Sequence, residues 1–192
     1  SDYVVTEAGF GADLGAEKFL NIKCRKANLI PNCVVIVATI RALKMHGGIE
    51  KNELKKENID ALKKGLVNLK RHIINIQKFG LQPIIAINHF VLDTSKEIKT
   101  ILNFCKDMKI EVSECKHWAK GGKGATDLAK KVVKVCKNKN KFNFLYKDNL
   151  KLINKIELIA KEIYKASKII ASEEVLEQLK IFENNGYGHL PV

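Results

Sequence analysis

Two short apolar runs, each followed by a longer amphipathic stretch, constrain the fold of this chain more than any other feature. Residues 34–39 read Val-Val-Ile-Val-Ala-Thr and residues 83–87 read Pro-Ile-Ile-Ala-Ile. Continuous apolar runs of this length are typical of strands buried on both faces of a parallel sheet. Apolar residues that step by three and four, as in residues 58–78, predict an amphipathic helix. The alternation predicts an α/β fold: a mostly parallel sheet with helices on both faces, built from Rossmann-like βα units.

The same patterns predict the remaining elements, within a single domain that covers residues 1–192. Thr94 or Asp93 can cap a helix to about residue 108, with Glu97 placed to complete a capping box. Further helices are expected at 126–136, 150–167 and 173–182, and a short helical stretch from residue 16. Short strands are expected at 3–6, 110–112 and 168–170, a strand or turn at 142–146, and a surface loop at 43–51.

Composition narrows the class of protein. No stretch approaches the 18 or so apolar residues of a transmembrane helix, and the first residues lack the features of a signal peptide. The five cysteines are odd in number and show no C-x-x-C spacing, which argues against a disulfide framework or a thiolate zinc site. We therefore expect reduced cysteines in a cytoplasmic protein, with the mitochondrial matrix as the alternative, and no membrane partner.

The net charge of +13 has two interpretations. It suits a polyanionic partner such as nucleic acid, a membrane surface or a multiply charged small molecule. It also suits a lysine-rich composition without functional meaning. The lysines are scattered over predicted helix faces, as at Lys63 and Lys64, and only three arginines occur. Proteins that recognise nucleic acid favour arginine and interleaved aromatic residues, so a nucleic-acid partner is not expected.

Three loops are expected at the carboxyl ends of strands, where ligands bind in open α/β sheets. They are residues 7–15, 88–93 and 114–124. The first contains the spacing Gly-x-Gly-x-x-x-Gly, which departs by one residue from the dinucleotide-binding fingerprint. A ligand loop and a tight structural turn both remain open for it. In the second, Phe90 fits core packing as well as ligand contact. His89 has the chemistry of a general base, but no Ser, Cys or carboxylate lies beside it at triad-like spacing.

The third loop, from His117 to Thr126, is the most informative. A strand, a glycine-rich turn and a helix start bring backbone amide groups toward an anion, although the spacing is not that of a Walker A loop. Trp118, the only tryptophan, favours a stacking surface for a planar ligand over a core position. Cys115 and His117 have metal-binding chemistry but lack further ligands, so no metal site is predicted. The candidate nucleotide or anion loop comprises Lys120, Gly121, Gly122, Lys123 and Gly124.

Four segments together resemble, in the same order, segments of the formate–tetrahydrofolate ligases (formyltetrahydrofolate synthetases). The longest is Thr-Glu-Ala-Gly-Phe-Gly-Ala-Asp-Leu-Gly-Ala-Glu-Lys-Phe at residues 6–19, followed by Asn-Ile-Lys-Cys-Arg at 21–25. The others are Ala-Ile-Asn-His-Phe at 86–90, His-Trp-Ala-Lys-Gly-Gly-Lys-Gly at 117–124, and Gly-Tyr-Gly-His-Leu-Pro-Val at 186–192. The resemblance covers the chain from end to end.

The resemblance implies an activity and a set of site residues. The family uses ATP to join formate to tetrahydrofolate, giving 10-formyltetrahydrofolate through formyl phosphate, in the one-carbon metabolism that serves purine biosynthesis. ATP and Mg²⁺ are the implied cofactors, with tetrahydrofolate and formate as substrates. Phe90 and Trp118 would hold the flat ring of the folate between them. The other substrate-binding residues would be Phe10, Asp13 and Asn88, and the glycine loop would lie near the ATP or the ring.

The sequence lacks one segment of the family pattern, the phosphate-binding loop. The family's phosphate-binding loop and its basic residues for formyl phosphate lie before the matched segments, and this sequence contains no such loop. The resemblance therefore implies a fragment that supplies the folate side and is inactive alone. Its catalytic residues would lie elsewhere, its first partner would be the remainder of the same polypeptide, and the parent enzyme would be a homo-oligomer. The alternatives are a non-catalytic folate- or nucleotide-binding module and a basic nucleic-acid-binding domain.

Overall fold

The computed structural model describes residues 1–192, which form two compact units. The discontinuous unit contains residues 1–31 and 142–192, and the sheet unit contains residues 32–141. Strand–helix alternation carries no sign of this division, because the pattern records local periodicity and not the contacts between distant segments. That residues 1–192 are the folate-side portion of a larger enzyme stays a prediction.

The discontinuous unit begins with an unbroken helical run. It consists of a π-helical turn, Gly11–Gly15, then α1 (Ala16–Lys18), a second π-helical turn, Phe19–Lys23, and α2 (Cys24–Lys26). Leu20 and Cys24 of this run are buried. The helical stretch expected from residue 16 is confirmed and starts earlier, within the glycine-rich segment.

The strand expected at residues 3–6 is wrong. These residues form no strand pairing, and Val4 and Val5 are 85% and 91% exposed. A strand requires a partner for its backbone groups, and a local apolar pattern does not reveal whether one is available. The segment 7–15 therefore does not follow a strand, contrary to the expectation from the sequence.

The sheet unit is built on a three-stranded parallel sheet in the order β1-β2-β3. Its elements are β1 (Val34–Ala38), α3 (Ile40–His46), α4 (Ile59–Lys78), β2 (Pro83–Asn88), α5 (Ser95–Asp107), β3 (Val112–Cys115), α6 (His117–Lys120) and α7 (Thr126–Cys136). α4 packs on β1 and β2, α5 packs on β3, and the two helices contact each other, as right-handed crossovers between parallel strands would place them. Ser113 Oγ donates to Asp127 Oδ2 at 2.6 Å, so α7 covers the face to which Ser113 points. The predicted α/β architecture with a parallel sheet is confirmed.

Burial of the two apolar runs differs. Residues 83–87 of β2, the central strand, are buried throughout, as predicted. In β1, Val35 and Val37 are 37% and 64% exposed, so burial on both faces is wrong for this strand. β1 lies at the edge of the sheet, and α7 packs on β2 and β3. The apolar run therefore predicted the strand, but it did not show whether helices cover both faces of that strand.

The predicted helices of the sheet unit are largely confirmed. Asn58 caps α4 by accepting from Ala61 N at 2.9 Å, and Gly80, with φ of 75°, follows its end. Thr94 and Glu97 form the expected capping box of α5. The loop expected at 43–51 is wrong at its start, because α3 continues to His46. The third strand begins at Val112 instead of residue 110.

A buried ion pair joins α3 to α5. Lys44 Nζ lies 2.8 Å from Glu97 Oε1, and both side chains are almost fully buried. Glu97 also accepts from the backbone nitrogens of Asn58 and Thr94, and Lys44 donates to Lys56 O at 2.8 Å. Each buried charge is therefore paired and hydrogen-bonded, as burial of charge requires.

The second segment of the discontinuous unit contains two helices, α8 (Leu152–Glu162) and α9 (Glu173–Asn184), followed by a 3₁₀ turn, Tyr187–His189. α8 ends before the predicted Ser167, and the strand expected at 168–170 is wrong because those residues form no pairing. Residues 142–146 form no strand and end in a bend, which favours the turn alternative. No helix of the protein combines the length and apolarity that crossing a membrane demands.

Arg25 and Lys155 connect the distant parts of the discontinuous unit. The Arg25 guanidinium lies 4.0 Å from the Phe144 ring centroid and 4.9 Å from that of Tyr146, and it pairs with Asp148 at 2.6 Å. Lys155 is buried and donates to the carbonyls of Gly188 and Leu190 at 2.8 and 2.9 Å, while Tyr146 Oη donates to Val192 O.

Candidate functional site

The carboxyl ends of β2 and β3 lie side by side. Asn88 is paired with Cys115 in the parallel register, and His89 N donates to Cys115 O at 3.1 Å, which extends the ladder by one residue. Phe90 follows on one strand end and Trp118 on the other. Two of the three loops selected from the sequence therefore meet at one edge of the sheet, where open α/β folds bind ligands.

The two aromatic residues at this edge have different environments. Trp118 lies in the one-turn helix α6 and is 78% exposed, so it is not a core residue. Phe90 is half-buried, and its backbone nitrogen donates to Asp93 Oδ2 at 2.8 Å. Arg41, in the first turn of α3, places its guanidinium 4.9 Å from the centroid of the Phe90 ring. Two aromatic residues that follow neighbouring strand ends, one of them exposed, offer flat apolar surface on which a planar ligand can stack.

Asn88 is the polar member of the site. Its Oδ1 is buried and accepts no hydrogen bond from the protein. A buried acceptor left unsatisfied costs about 1–3 kcal/mol, so such atoms usually have a partner. Asn88 is the last residue of β2 and lies two residues before Phe90. A ligand N–H group at this edge of the sheet would satisfy the Asn88 oxygen.

A charged cluster that sequence reasoning missed lies at the same edge. His89 Nδ1 is 2.6 Å from Glu114 Oε1, and Lys116 Nζ is 3.0 Å from the same oxygen. Burial acts to raise the pKa of Glu114, but hydrogen bonds from Lys116 and His89 and their charges outweigh it and lower the pKa below its ordinary value. The carboxylate absent beside His89 in sequence is supplied by the neighbouring strand. The contact of His89 with Glu114 follows from the register of the two strands, in which Ile87 pairs with Glu114. No local sequence pattern records that register.

The glycine-rich turn closes against the end of β3. Residues Gly121–Ala125 form a 3₁₀ turn, and Lys116 N donates to Gly124 O at 3.0 Å. Gly121 has φ of 54°, and a Cβ on Gly124 would lie 2.4 Å from the carbonyl carbon of Lys116. Lys120, Gly121, Gly122 and Lys123 are exposed. The turn therefore precedes a helix as predicted, while its use by a nucleotide or anion stays a prediction.

Phe10 and Asp13 are placed differently from the other predicted site residues. Both belong to the discontinuous unit, whereas Asn88, Phe90, Trp118 and the glycine turn belong to the sheet unit. Phe10 is fully exposed, and the backbone oxygen of Asp13 accepts from Tyr164 Oη at 3.1 Å. Their role in ligand binding stays a prediction.

A surface cavity of about 510 Å³ lies in the discontinuous unit. It is lined by Arg25 and by residues 144–148. The Arg25 guanidinium there already pairs with Asp148 and donates to Tyr146 O at 2.8 Å, and two aromatic rings cover it. Its donors are engaged within the protein, so we assign this cavity to the packing of the unit.

The side chains form no ready-made metal cluster. No group of three or more His, Cys, Asp or Glu side chains is arranged to hold a metal ion. These residues therefore form no all-protein site for Mg²⁺, an ion that enzymes commonly bind through one or two carboxylates together with substrate phosphates.

Comparison with known proteins gives consistent matches over the whole chain. The family model described as "Formate--tetrahydrofolate ligase" matches residues 1–192. Proteins of that name from Pelagibacter ubique, Sinorhizobium medicae and Hyphomonas neptunium are 59%, 54% and 54% identical to it. Each alignment covers 100% of this chain and 34%, 34% and 35% of the respective relative, so the chain spans about a third of the length of these curated relatives.

Proposed function

Because the chain belongs to the formate–tetrahydrofolate ligase family, we propose that it supplies the tetrahydrofolate-binding surface for the ATP-dependent formation of 10-formyltetrahydrofolate. The observation that supports this most is the position of Phe90 and Trp118 on the ends of paired strands, with the indole exposed. Offset stacking adds about 0.5–1.5 kcal/mol per aromatic pair beyond the burial of area.

The strand-end residues divide the work of binding. Phe90 and Trp118 provide flat apolar surface for the bicyclic ring, which fixes the plane of the substrate. Asn88 then fixes its orientation in that plane, since its unpaired oxygen accepts an N–H of the ring edge. Holding the ring in one orientation presents the folate nitrogen to the activated formyl group, and positioning of this kind is a large part of catalysis by group-transfer enzymes.

Trp118 fluorescence tests the proposed surface. A folate analogue should quench the emission of this single tryptophan, and calorimetry should show saturable binding that Trp118→Ala abolishes. Trp118→Phe, which retains a stacking ring, should bind detectably. Tyr187→Ala is the matched control, because Tyr187 is an exposed aromatic residue of the discontinuous unit. Unchanged binding by Trp118→Ala would remove Trp118 from the site and contradict the proposal.

Asn88 provides an independent test. Asn88→Ala removes both the acceptor and the donor, whereas Asn88→Asp retains an acceptor of the same shape. We expect Asn88→Ala to weaken binding of the folate analogue by roughly tenfold, and Asn88→Asp to weaken it less, if the ring donates to this position. Equal losses in both variants would assign the contribution to the amide nitrogen instead.

Phosphoryl chemistry should need residues outside this chain. We propose that a phosphate-binding portion, ATP and Mg²⁺ act together with the folate surface in the complete enzyme, because the chain spans about a third of its relatives and has no metal cluster. The 192-residue chain alone should show no formate-dependent cleavage of ATP. Turnover by the purified chain would refute this. A homo-oligomeric parent enzyme and a cytoplasmic location remain proposals.

A further inference from the structure

Arg41 is the one arginine in contact with the candidate site. Its guanidinium lies 4.9 Å from the centroid of the Phe90 ring, within the range of a cation–π contact. The structure gives this guanidinium no carboxylate partner and no hydrogen bond. Arg25, in contrast, is engaged by Asp148 and two backbone carbonyls. The ring of Phe90 is therefore the feature that holds the Arg41 side chain.

Topology explains why the two side chains meet. Ala38 of β1 is paired with Ile87 of β2, so the two strands end level with each other. Arg41 lies three residues beyond Ala38, and Phe90 lies three residues beyond Ile87. Thr39 caps α3 by accepting from Ala42 N at 3.1 Å, which fixes the helical turn that carries Arg41.

Hydrogen bonds and an ion pair fix the segments that carry Arg41 and Phe90. The backbone of Phe90 is fixed by its hydrogen bond to Asp93. One turn after Arg41, Lys44 forms the buried ion pair with Glu97, whose other oxygen accepts from Thr94 N. The last turn of α3 and the first turn of α5 are thus joined, and residues 90–94 connect the end of β2 to this part of α5.

We propose that Arg41 is a positioning residue for the flat substrate: it holds the Phe90 ring from one face, so that the ring accepts a planar ligand only on the opposite face. This inference rests on the proposed function, since it takes the bicyclic ring of a folate as the ligand. Phe90 would then be the middle layer of a stack of guanidinium, phenyl and substrate ring. Arg41 acts through Phe90 and does not itself touch the substrate.

The variants separate charge, shape and stability. Arg41→Met keeps most of the side-chain length but removes the planar cation, and Arg41→Lys keeps the charge without the plane. Arg71→Met, on α4 of the same unit, removes the same charge elsewhere and serves as the matched control. The complete protein is labelled with 4-fluorophenylalanine, and the resonance of Phe90 is identified by its loss in Phe90→Leu.

Two measurements test the inference. In the ligand-free protein, Arg41→Met should shift and broaden the fluorine resonance of Phe90, and Arg71→Met should leave it unchanged. Binding of the folate analogue should weaken about three- to tenfold in Arg41→Met, with partial recovery in Arg41→Lys, and the loss should appear in KM for tetrahydrofolate and not in KM for formate. A Phe90 resonance unaffected by Arg41→Met would overturn the inference.

Two other outcomes are distinct. A loss confined to KM for formate would show that Arg41 binds an anion, and it would overturn the positioning role. If the wild-type protein binds no folate analogue, the proposed function fails. The inference about the substrate fails with it, even though the fluorine shift still reports whether Arg41 holds the ring.

Discussion

Lys44 Nζ and Glu97 Oε1 lie 2.8 Å apart with almost no exposure to solvent, and they join the helix after β1 to the helix after β2. The pair is satisfied on both sides by backbone groups of residues 56, 58 and 94. The ion pair therefore holds α3, which carries Arg41, against the start of α5, which follows Phe90 in the chain.

Breaking this pair should destabilise the sheet unit strongly. Lys44→Met leaves the Glu97 carboxylate buried without its cation, and we expect a loss of about 3–5 kcal/mol in the free energy of unfolding. The double variant Lys44→Met, Glu97→Leu removes both charges and should lose less than Lys44→Met alone. Urea unfolding of the three proteins measures these differences. If the double variant were less stable than Lys44→Met, the cost of leaving Glu97 unpaired would not explain the loss, and the expectation would be wrong.

The same pair predicts a dependence of stability on acid. Burial acts to raise the pKa of Glu97, but hydrogen bonds from Lys44 and from the backbone of Thr94 and Asn58 outweigh it, so the pKa is lowered from 4.5. A lowered carboxyl pKa means that its stabilising contribution is complete above pH about 4.5 and is lost as the pH falls through the folded-state value. Wild type should therefore lose stability below pH about 4.5 more steeply than Glu97→Gln, as followed by urea midpoints across pH 3–6.

Gly124 should be far more sensitive to substitution than Gly122. A Cβ on Gly124 would lie 2.4 Å from the carbonyl carbon of Lys116, whereas a Cβ on Gly122 meets nothing within 4 Å. Gly124→Ala must displace the turn from the end of β3 and with it the helix that carries Trp118, so ligand binding should fall at least tenfold, an estimate of about 1.4 kcal/mol or more. Gly122→Ala should bind normally. Comparable binding by both variants would mean that the turn adapts without moving Trp118.

Glu114 should matter for binding more than for stability. It connects the residue before Phe90 with the strand that leads to Trp118, but it is 29% exposed, so the ion pairs themselves contribute little to unfolding free energy. Glu114→Gln should reduce folate affinity while changing the free energy of unfolding by about 1 kcal/mol or less. Glu111→Gln, at a more exposed carboxylate paired with Lys134, is the control. Loss of stability without loss of affinity would assign Glu114 to packing alone.

The lysines of the glycine turn offer a test of the positive charge. Exposed charges act over about 8 Å at physiological salt, so only lysines near the substrate should contribute. Lys120→Ala with Lys123→Ala should weaken a polyglutamylated folate more than a monoglutamate at low salt. The control is Lys63→Ala with Lys64→Ala, two exposed positions on α4. Equal losses of affinity for both folates would indicate that Lys120 and Lys123 contact the ring or the nucleotide instead of the glutamate chain.

Local patterns predicted the sheet unit well because its elements are locally encoded. The capping box of Thr94 and Glu97 and the span of α7 depend on neighbours within a few residues. Trp118 was placed correctly at a strand end for the same reason, since the glycine turn beside it is a strong signal.

The features that the sequence did not predict depend on contacts between residues that are distant in the chain. The exposure of Val37 is set by the position of β1 at the sheet edge, which its composition does not record. The pairing of His89 with Glu114 depends on register, and the contact of Arg41 with Phe90 depends on which two strands end together. A single apolar run at residues 3–6 likewise could not show that no partner strand adjoins it.

The discontinuous unit has a consequence for the order of folding during synthesis. Arg25 is made long before Asp148, its partner 123 residues later in the chain, and the whole sheet unit is synthesised between them. At about 5–20 residues per second this interval is on the order of ten seconds. The sheet unit can complete its core in that time, while Asn21 and Arg25 still lack their partners Leu145 and Asp148 on the nascent chain. The helical run that carries them is therefore the part of the chain on which a ribosome-associated chaperone would act longest.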